Sequence, residues 1–571
     1  MSAAAALQAG IFLSVIIALV KPLGTYLEHV FERRKTFLDP LLLPSERLLH
    51  RILGITASCE MDWMRYSLAF SLFSAVNIAL LYILLRGQAW LPWYFPSLMT
   101  TPMTPDLAAN TAVSFVTTTT WQAYAGENTM SYFSQLLFAG QNFLAGAAGL
   151  AVGIAFIRGY SRENTGRLGN FWVDLIRALL WVLLPISLLG SLFLIAQGVP
   201  MNFLHYTVAH SLQGGAQTIA QGPVAALEFI KNLGTNGGGF FNANGAHPFE
   251  NPTPLTNFVE LLAIAVLPAA FTHTFGRMVG RPRDGWLIFW VMTALFVAGL
   301  ATCQWAEKSV PPALAHEITG GNMEGKEVRF GLSASTLAAI VTSNGATGSY
   351  NSMHDSYQPL AVLVLLVNLL LGEIVYGGLG TGLFSMIFVA LLALYIGGLM
   401  VGRSPEHLGR RLGPPEMKII ALYTLLGPVT VLFLTALAVL TDAGRAGPTV
   451  NFGPHGFTEI LFAYASAFAN NGQSMASLNA NTLFYNVTTI IAMLAGRYGL
   501  AILALALAGR FASSSRRPAS AATMPSDSLL FGVLLAGTAL LVVALNFLPV
   551  LALGPILEHY SIHHHHILLH K

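Results

Sequence analysis

The chain has 571 residues, of which 54% are hydrophobic and only 10% are charged. A soluble protein carries charge on roughly a quarter of its residues, so this composition excludes an ordinary soluble fold and indicates a protein embedded in lipid. The net charge of +3 is too small and too dispersed to indicate nucleic acid as a partner.

A helix that spans a bilayer needs roughly 20 mostly apolar residues. Nine stretches meet this requirement, near 7–26, 66–86, 131–157, 172–197, 255–277, 285–303, 418–440, 483–510 and 529–553. The apolar stretch 359–402 is too long for one span and contains YGGLGTG at 376–382, which predicts one long helix broken in mid-membrane. The sequence therefore predicts an all-α polytopic membrane protein with about ten transmembrane helices, forming a single membrane domain over 1–571.

Arginine and lysine residues cluster after alternate spans. They follow the spans near 7–26, 131–157, 255–277 and 483–510 and the broken helix, as in Arg158, Arg277, Arg410 and Arg510. Most of the intervening connections carry almost none. By the positive-inside rule the loops rich in arginine and lysine are cytoplasmic. This distribution predicts that the N-terminus lies outside the cell.

Four polar strips of small residues recur between paired spans, and each follows a segment too short to cross the bilayer. Strips 1 to 4 are SFVTTTTWQ (114–122), NLGTNGGGFF (232–241), TSNGATGSYN (342–351) and FANNGQSMAS (468–477). The short segments that precede them are 106–117, 222–233, 332–342 and 457–468. Recurrence of one unit is an internal repeat. It predicts four helix–pore loop–helix units around a central pore: 66–157, 172–278, 285–402 with its broken second helix, and 418–510, with extra spans at 1–30 and 529–553.

Irregular backbone cannot face lipid, because each unpaired N–H or C=O group would cost several kcal/mol. Four re-entrant strips can instead aim carbonyl, hydroxyl and amide oxygens at a shared axis and replace the hydration shell of a monovalent cation. Glycine permits the strained backbone, and the partially negative C-terminal ends of the short helices favour a cation. The alternative, that such strips are external turns, fits any single strip but explains poorly why four occupy equivalent places.

Several motifs resemble those of one family over nearly the whole chain. They are NTAVSFVT (110–117), GTNGGGFFNANGAHPFENPT (234–253), NMEGKEVRFG (322–331), MHDS (353–356) and GPHGF (453–457). Together they resemble the potassium-binding A subunit of the bacterial Kdp pump, a relative of the Trk/Ktr/HKT potassium transporters.

The resemblance implies that the chain binds external K⁺ in a four-loop selectivity filter and passes it to the catalytic P-type ATPase subunit of the Kdp complex for ATP-driven uptake. It further implies two other partners in the bacterial inner membrane, a larger subunit with one span and a small single-span peptide. K⁺ would be the only metal bound, and this chain would hold neither a nucleotide nor a catalytic site. The absence of a DKTGT phosphorylation motif agrees with this expectation.

The resemblance also places functional residues. The filter falls on three residues in each strip, namely Thr118, Thr119, Thr120, Thr235, Asn236, Gly237, Ala346, Thr347, Gly348, Asn470, Asn471 and Gly472. Gln122 and Gly238 are adjacent to the filter. Strip 1 has threonines where asparagine and threonine usually alternate, and strip 3 has Ala346-Thr347 where a Ser-Cys pair is usual. Coordination by backbone carbonyls is expected to survive both changes.

Two charges inside the membrane, Glu373 and Arg497, are expected to pair below the filter, because an isolated charge there is costly. With Gly378 and Gly380 of the broken helix they would block free flow and redirect the ion sideways, and Arg403 matches another arginine of the family. The alternative is a salt bridge that serves packing alone.

Two other function classes fit the sequence less well. A stand-alone Trk-like channel or symporter shares the four repeats, but ten spans and the long motif of strip 2 count against it. A membrane-embedded enzyme would need converging His, Asp or Glu side chains in the spans, where they are nearly absent. The histidine run 563–566 could bind a metal, but a solvated tail is the expected reading.

Overall fold

The computed structural model describes residues 3–563 apart from 97, 310–320, 401, 403, 404, 517 and 519–523. Within these residues ten helices are long and apolar enough to cross a membrane. They are Ala5–Phe31, Trp63–Arg86, Tyr132–Ser161, Phe171–Ala196, Pro254–Met278, Pro282–Lys308, Thr381–Met400, Pro414–Leu440, Leu483–Ser513 and Leu529–Ile562. Every predicted span corresponds to one of them, so the prediction of an all-α multi-pass membrane protein is confirmed.

The predicted break in the long apolar stretch 359–402 is present. Helix Pro359–Leu370 ends there, residues 371–380 are irregular, and helix Thr381–Met400 follows. Four residues of the break have positive φ, namely Gly372 (72°), Glu373 (63°), Tyr376 (48°) and Gly380 (86°). A right-handed helix cannot pass through left-handed residues, so the chain must leave the helical path here.

Each polar strip follows a short helix that is too short to span the bilayer. The longest, Gly453–Phe468, has 16 residues and a length of about 24 Å, against a hydrocarbon core of about 30 Å. The other three are Pro105–Val116, Val224–Leu233 and Gly331–Asn344. All four are mostly buried and end where their strip begins, so their C-terminal ends meet the strips.

Local sequence explains where many of the long helices start. The hydroxyls of Ser131, Thr253, Thr482 and Ser528 each accept a hydrogen bond from a backbone N–H of the first turn. Such caps satisfy donors that a helix leaves unpaired at its start.

Other elements are small. Three two-stranded antiparallel sheets pair Met61–Asp62 with Arg167–Gly169, Thr207–His210 with Ala216–Ile219, and Glu406–His407 with Arg410–Arg411. Wide helical turns interrupt three spans at Ala178–Leu183, Ala495–Gly499 and Ala552–Ile556. The remaining short helices are Asp39–Ile52, Gln88–Trp90, Gly126–Thr129, Asn244–Ala246, His354–Ser356, Asp442–Arg445 and Leu557–His563.

The third span, Tyr132–Ser161, lies at the centre of the molecule, and most of it is buried. Its glycines allow neighbours to approach closely. A methyl group at Gly153 would lie 2.6 Å from the Cα atom of Gly380, and one at Gly159 would lie 2.6 Å from the Cα atom of Ala508. Small residues permit such backbone contact between membrane helices. The helix therefore holds both the broken segment and the span Leu483–Ser513 against the centre.

Candidate functional site

Strips 2, 3 and 4 touch in sequence order through their glycines. Gly237 and Gly348 form a parallel β-bridge, and the N–H of Gly238 donates to the carbonyl of Gly348 at 3.3 Å. A methyl group at Gly348 would lie 2.5 Å from the carbonyl carbon of Gly472. No larger residue fits at these contacts without moving a backbone.

Strip 1 closes the ring. A methyl group at Gly472 would lie 1.9 Å from the carbonyl oxygen of Thr119, which joins strip 4 to strip 1. On the other side, the hydroxyl of Thr120 donates to the carbonyl of Asn236 in strip 2. The four strips thus contact one another cyclically, in the order 1–2–3–4. The interpretation of each strip as a separate external turn does not fit this arrangement.

The backbone of the strips has one unusual form. At equivalent places each strip contains a left-handed residue, namely Thr118 (φ 65°), Thr235 (49°), Ala346 (51°) and Asn470 (53°). Strips 1, 2 and 4 contain a second one two residues later, namely Thr120 (45°), Gly237 (84°) and Gly472 (86°). Alternating handedness reverses the peptide plane from residue to residue and allows successive carbonyls to face one side. Such conformations cost about 1–3 kcal/mol each in non-glycine residues and cluster at functional sites.

Side chains connect the strips to each other and to the broken helix. Gln122 in strip 1 makes two bonds to one residue of strip 2, since its Oε1 accepts from the N–H of Gly239 at 3.0 Å and its Nε2 donates to that residue's carbonyl at 2.9 Å. The Nδ2 of Asn470 donates to the hydroxyl of Thr119 at 3.0 Å. The N–H of Leu379 donates to the hydroxyl of Thr235 at 3.1 Å. All twelve predicted filter residues are buried and belong to this ring.

A small cavity lies at one end of the ring. The first predicted filter residue of every strip lines it, so the four repeats converge there: Thr118, Thr235, Ala346 and Asn470. Three residues predicted for the pathway also line it, namely Glu373, Gly378 and Arg497. The cavity is therefore a polar space that presents one acidic and one basic group.

The predicted direct pairing of Glu373 with Arg497 is wrong in geometry. No ion pair joins them within 4 Å among the described residues. Instead, Nη2 of Arg497 donates to the carbonyl of Ala145 at 3.0 Å, and the Oε1 atom of Glu373 has no hydrogen-bond partner. Arg497 lies on a wide helical turn that directs it toward the third span, whereas the left-handed Glu373 belongs to the break.

Two other residues were predicted for the pathway, Gly380 and Arg403. Gly380 contacts the third span, since a methyl group there would lie 2.4 Å from the carbonyl oxygen of Gly149, and it is not among the residues that line the cavity. Arg403 lies outside the described residues, as does most of the histidine run 563–566.

A polar cluster joins the segment that follows strip 3 to the short helix that precedes strip 4. His455 bonds Asp355 through Nε2 at 3.0 Å and Glu558 through Nδ1 at 2.7 Å. Burial lowers the pKa of His455, but these two acidic partners outweigh burial and raise it to about 10. Ligand atoms of Asp355, His455 and Glu459 lie within 4.8 Å of one another, a spacing compatible with a metal. The Nδ2 atom of Asn451, however, donates to both carboxylates, so hydrogen bonds already fill this arrangement.

Sequence reasoning missed a buried charge cluster behind strip 2. It contains Lys231, Glu228 and Glu250, each 0% exposed. A signal was present, because a lysine inside the short apolar segment 222–233 is costly in a membrane unless it is paired.

Comparison with known proteins identifies relatives over nearly the whole chain. The profile of the potassium-transporting ATPase A subunit family matches residues 10–560. A potassium-transporting ATPase potassium-binding subunit of Methylorubrum extorquens is 50% identical over 557 residues, which cover 97% of each chain. Proteins with the same name from Granulibacter bethesdensis and Rhodopseudomonas palustris are each 48% identical, over 565 and 556 residues, and cover at least 97% of both chains.

Proposed function

Because this chain belongs to the potassium-transporting ATPase A subunit family, we propose that it is the K⁺-binding subunit of such a pump. The ring of four strips binds external K⁺, and the ion then passes through the adjoining cavity to a partner that hydrolyses ATP. The chain itself is not a catalytic subunit. The family and the names of its relatives support a pump subunit rather than a stand-alone Trk-like channel or symporter.

The closed cycle of the strips is the observation that supports this proposal most strongly. Four strips with left-handed residues at matching positions converge on one cavity, and each follows a short helix whose C-terminal end meets the ring. Carbonyl rings replace the hydration shell of K⁺, and helix C-termini add negative potential. The filter comprises the twelve predicted residues, with Gln122 and Gly238 beside it.

The finer assignments belong to the same proposal. The partners are the catalytic P-type ATPase subunit of the Kdp complex, its larger single-span subunit and its small single-span peptide. The chain lies in the bacterial inner membrane with its N-terminus outside, because arginine and lysine follow alternate spans. The four repeats have the bounds 66–157, 172–278, 285–402 and 418–510.

Replacement of Gly237 by aspartate tests whether strip 2 belongs to the filter. The left-handed Gly237 (φ 84°) lies where a Cβ atom would be 2.3 Å from the backbone nitrogen of Gly348. We expect Gly237→Asp to raise the apparent KM for K⁺ in ATP hydrolysis by the purified complex at least about 100-fold, equivalent to about 2.7 kcal/mol.

Gly214→Asp is the matched control, because Gly214 also has a φ of 84° but nothing lies within 4 Å of its Cβ position. We expect its KM to stay within about twofold of wild type. An unchanged KM in Gly237→Asp would refute the filter assignment, and ATP hydrolysis that K⁺ does not stimulate in the wild-type complex would refute the pump assignment.

A further inference from the structure

One position in each repeat supports the strip that follows it. This position lies four residues before the first left-handed residue, and its carbonyl accepts a hydrogen bond from a strip N–H. The pairs are Ser114 with Thr120 at 3.0 Å, Lys231 with Asn236 at 2.9 Å, Thr342 with Thr347 at 3.4 Å, and Ser466 with Asn471 at 3.0 Å. The bonded N–H lies five residues after the supporting position in repeats 2 to 4 and six residues after it in repeat 1, so each short helix holds the strip that follows it.

In two repeats the side chain at this position also holds the far part of the strip. The hydroxyl of Ser114 donates to the carbonyl of Trp121 at 2.9 Å. In repeat 3 the hydroxyl of Thr342 accepts from the N–H of Ser349 at 3.1 Å. Each hydroxyl therefore reaches the residue seven positions later, beyond the left-handed residues.

Repeat 2 has a lysine where the other three have a hydroxyl. The Nζ atom of Lys231 lies 2.6 Å from Oε2 of Glu250, and both side chains are 0% exposed. The other oxygen of Glu250 accepts from the N–H of Phe241, the last residue of strip 2, at 2.8 Å. Through Glu250, Lys231 therefore reaches the far end of its strip, as the hydroxyls do directly in repeats 1 and 3.

Strip 2 has a physical need for this longer connection. It is the strip with three consecutive glycines, 237–239, and glycine backbone has the most conformational freedom to lose on folding. A buried ion pair is strongly held when further hydrogen bonds satisfy its groups, as Phe241 does for Glu250.

We propose that Lys231 and Glu250 are positioning residues that fix the width of the ring through strip 2 and so set its preference for K⁺ over the smaller Na⁺. This inference rests on the proposed function of the ring. Glu228 provides a matched comparison, because it also lies 2.6 Å from Nζ of Lys231 and is 0% exposed. Glu228 accepts its hydrogen bond within the cluster from Asn232, the first residue of strip 2, and so does not reach the far end of the strip.

The test compares Glu250→Gln with Glu228→Gln in the purified complex, with apparent KM and kcat measured for K⁺ and for Na⁺. Glu250 uses one oxygen for each partner, whereas glutamine has a single acceptor oxygen and would present its NH2 group to either Lys231 or the N–H of Phe241. We expect about a tenfold or larger rise in the KM for K⁺, a smaller ratio of the Na⁺ to the K⁺ KM, and kcat within about twofold. For Glu228→Gln we expect both KM values within about twofold of wild type.

Equal changes in the two variants would overturn the inference, because loss of a charge beside Lys231 would then explain both. Glu250→Asp is a second variant that keeps the charge but shortens the side chain by one methylene, so it cannot reach both partners. We expect it to raise the KM for K⁺ as Glu250→Gln does, and a wild-type KM would also overturn the inference. Wild-type ATP hydrolysis without K⁺ stimulation would instead contradict the proposed function.

Discussion

At the residue scale, the main feature is the left-handed backbone of residues in the ring whose side chains disfavour it. Thr118 and Thr120 have φ values of 65° and 45°, which β-branched residues rarely adopt. Tertiary bonds compensate, because Thr120 donates to Asn236 and Asn470 donates to the hydroxyl of Thr119. The threonine-rich strip 1 therefore joins the ring although its local propensities favour extended backbone.

Gln122 offers a residue-scale prediction. Gln122→Glu has nearly the same shape but cannot donate to the carbonyl of Gly239, which it would face with a negative charge. An unsatisfied buried group costs about 1–3 kcal/mol. We expect a rise of about tenfold in the apparent KM for K⁺ of the complex. Tyr124→Phe is the control, since it removes only the bond between Gln122 Nε2 and the Tyr124 hydroxyl (3.0 Å); an equal effect in both variants would contradict the prediction.

At the scale of elements, short helices and a broken helix create the polar space within the membrane. The four short helices end at the ring, and residues 371–380 interrupt the apolar stretch beside its cavity. The irregular backbone of the break is tolerated there because it is buried in protein and lines a polar cavity. The lengths of the apolar segments predict both features, since each departs from the length of a span.

The prediction at this scale concerns Arg497 and the leak of K⁺ through the chain. The guanidinium of Arg497 lines the cavity and donates to the carbonyl of Ala145, so it places a positive charge at one end of the ring. We expect Arg497→Ala to allow ATP-independent efflux of K⁺ from vesicles that contain the complex. The control is Arg510→Ala, because the Arg510 side chain is 46% exposed and pairs with Glu416. Absence of a leak together with unchanged coupling would show that Arg497 serves packing alone.

At the scale of the whole molecule, distant parts of the chain meet between the segment that follows strip 3 and the short helix that precedes strip 4. His455 lies in the first turn of that helix and bonds Asp355 after strip 3 as well as Glu558 near the end of the described chain. Ser477, the last residue of strip 4, also donates to Asp355. The last span is thereby tied to the loops of the ring.

This cluster predicts a pH dependence of stability. The pKa of His455 is about 10 in the folded protein against 6.5 ordinarily, so its stabilisation is complete below pH 6.5 and is lost as the pH rises toward 10. We expect His455→Gln to lower the Tm of the complex most at pH 6.5, with the difference from wild type closing by pH 10. His210→Gln, on the hairpin that pairs Thr207–His210 with Ala216–Ile219, is the control. A difference in Tm that is constant with pH would contradict the prediction.

The sequence by itself determined the class of protein, the spans, the break and the four strips, because lipid imposes length and polarity on each segment regardless of its neighbours. Only the tertiary structure decided how side chains meet. Glu373 and Arg497 line one cavity without forming an ion pair, because Arg497 donates instead to the carbonyl of Ala145 in the third span. The connection from Lys231 to Phe241 likewise depends on Glu250, which lies 19 positions along the chain from Lys231. Such contacts arise from packing between segments, which no single stretch of sequence encodes.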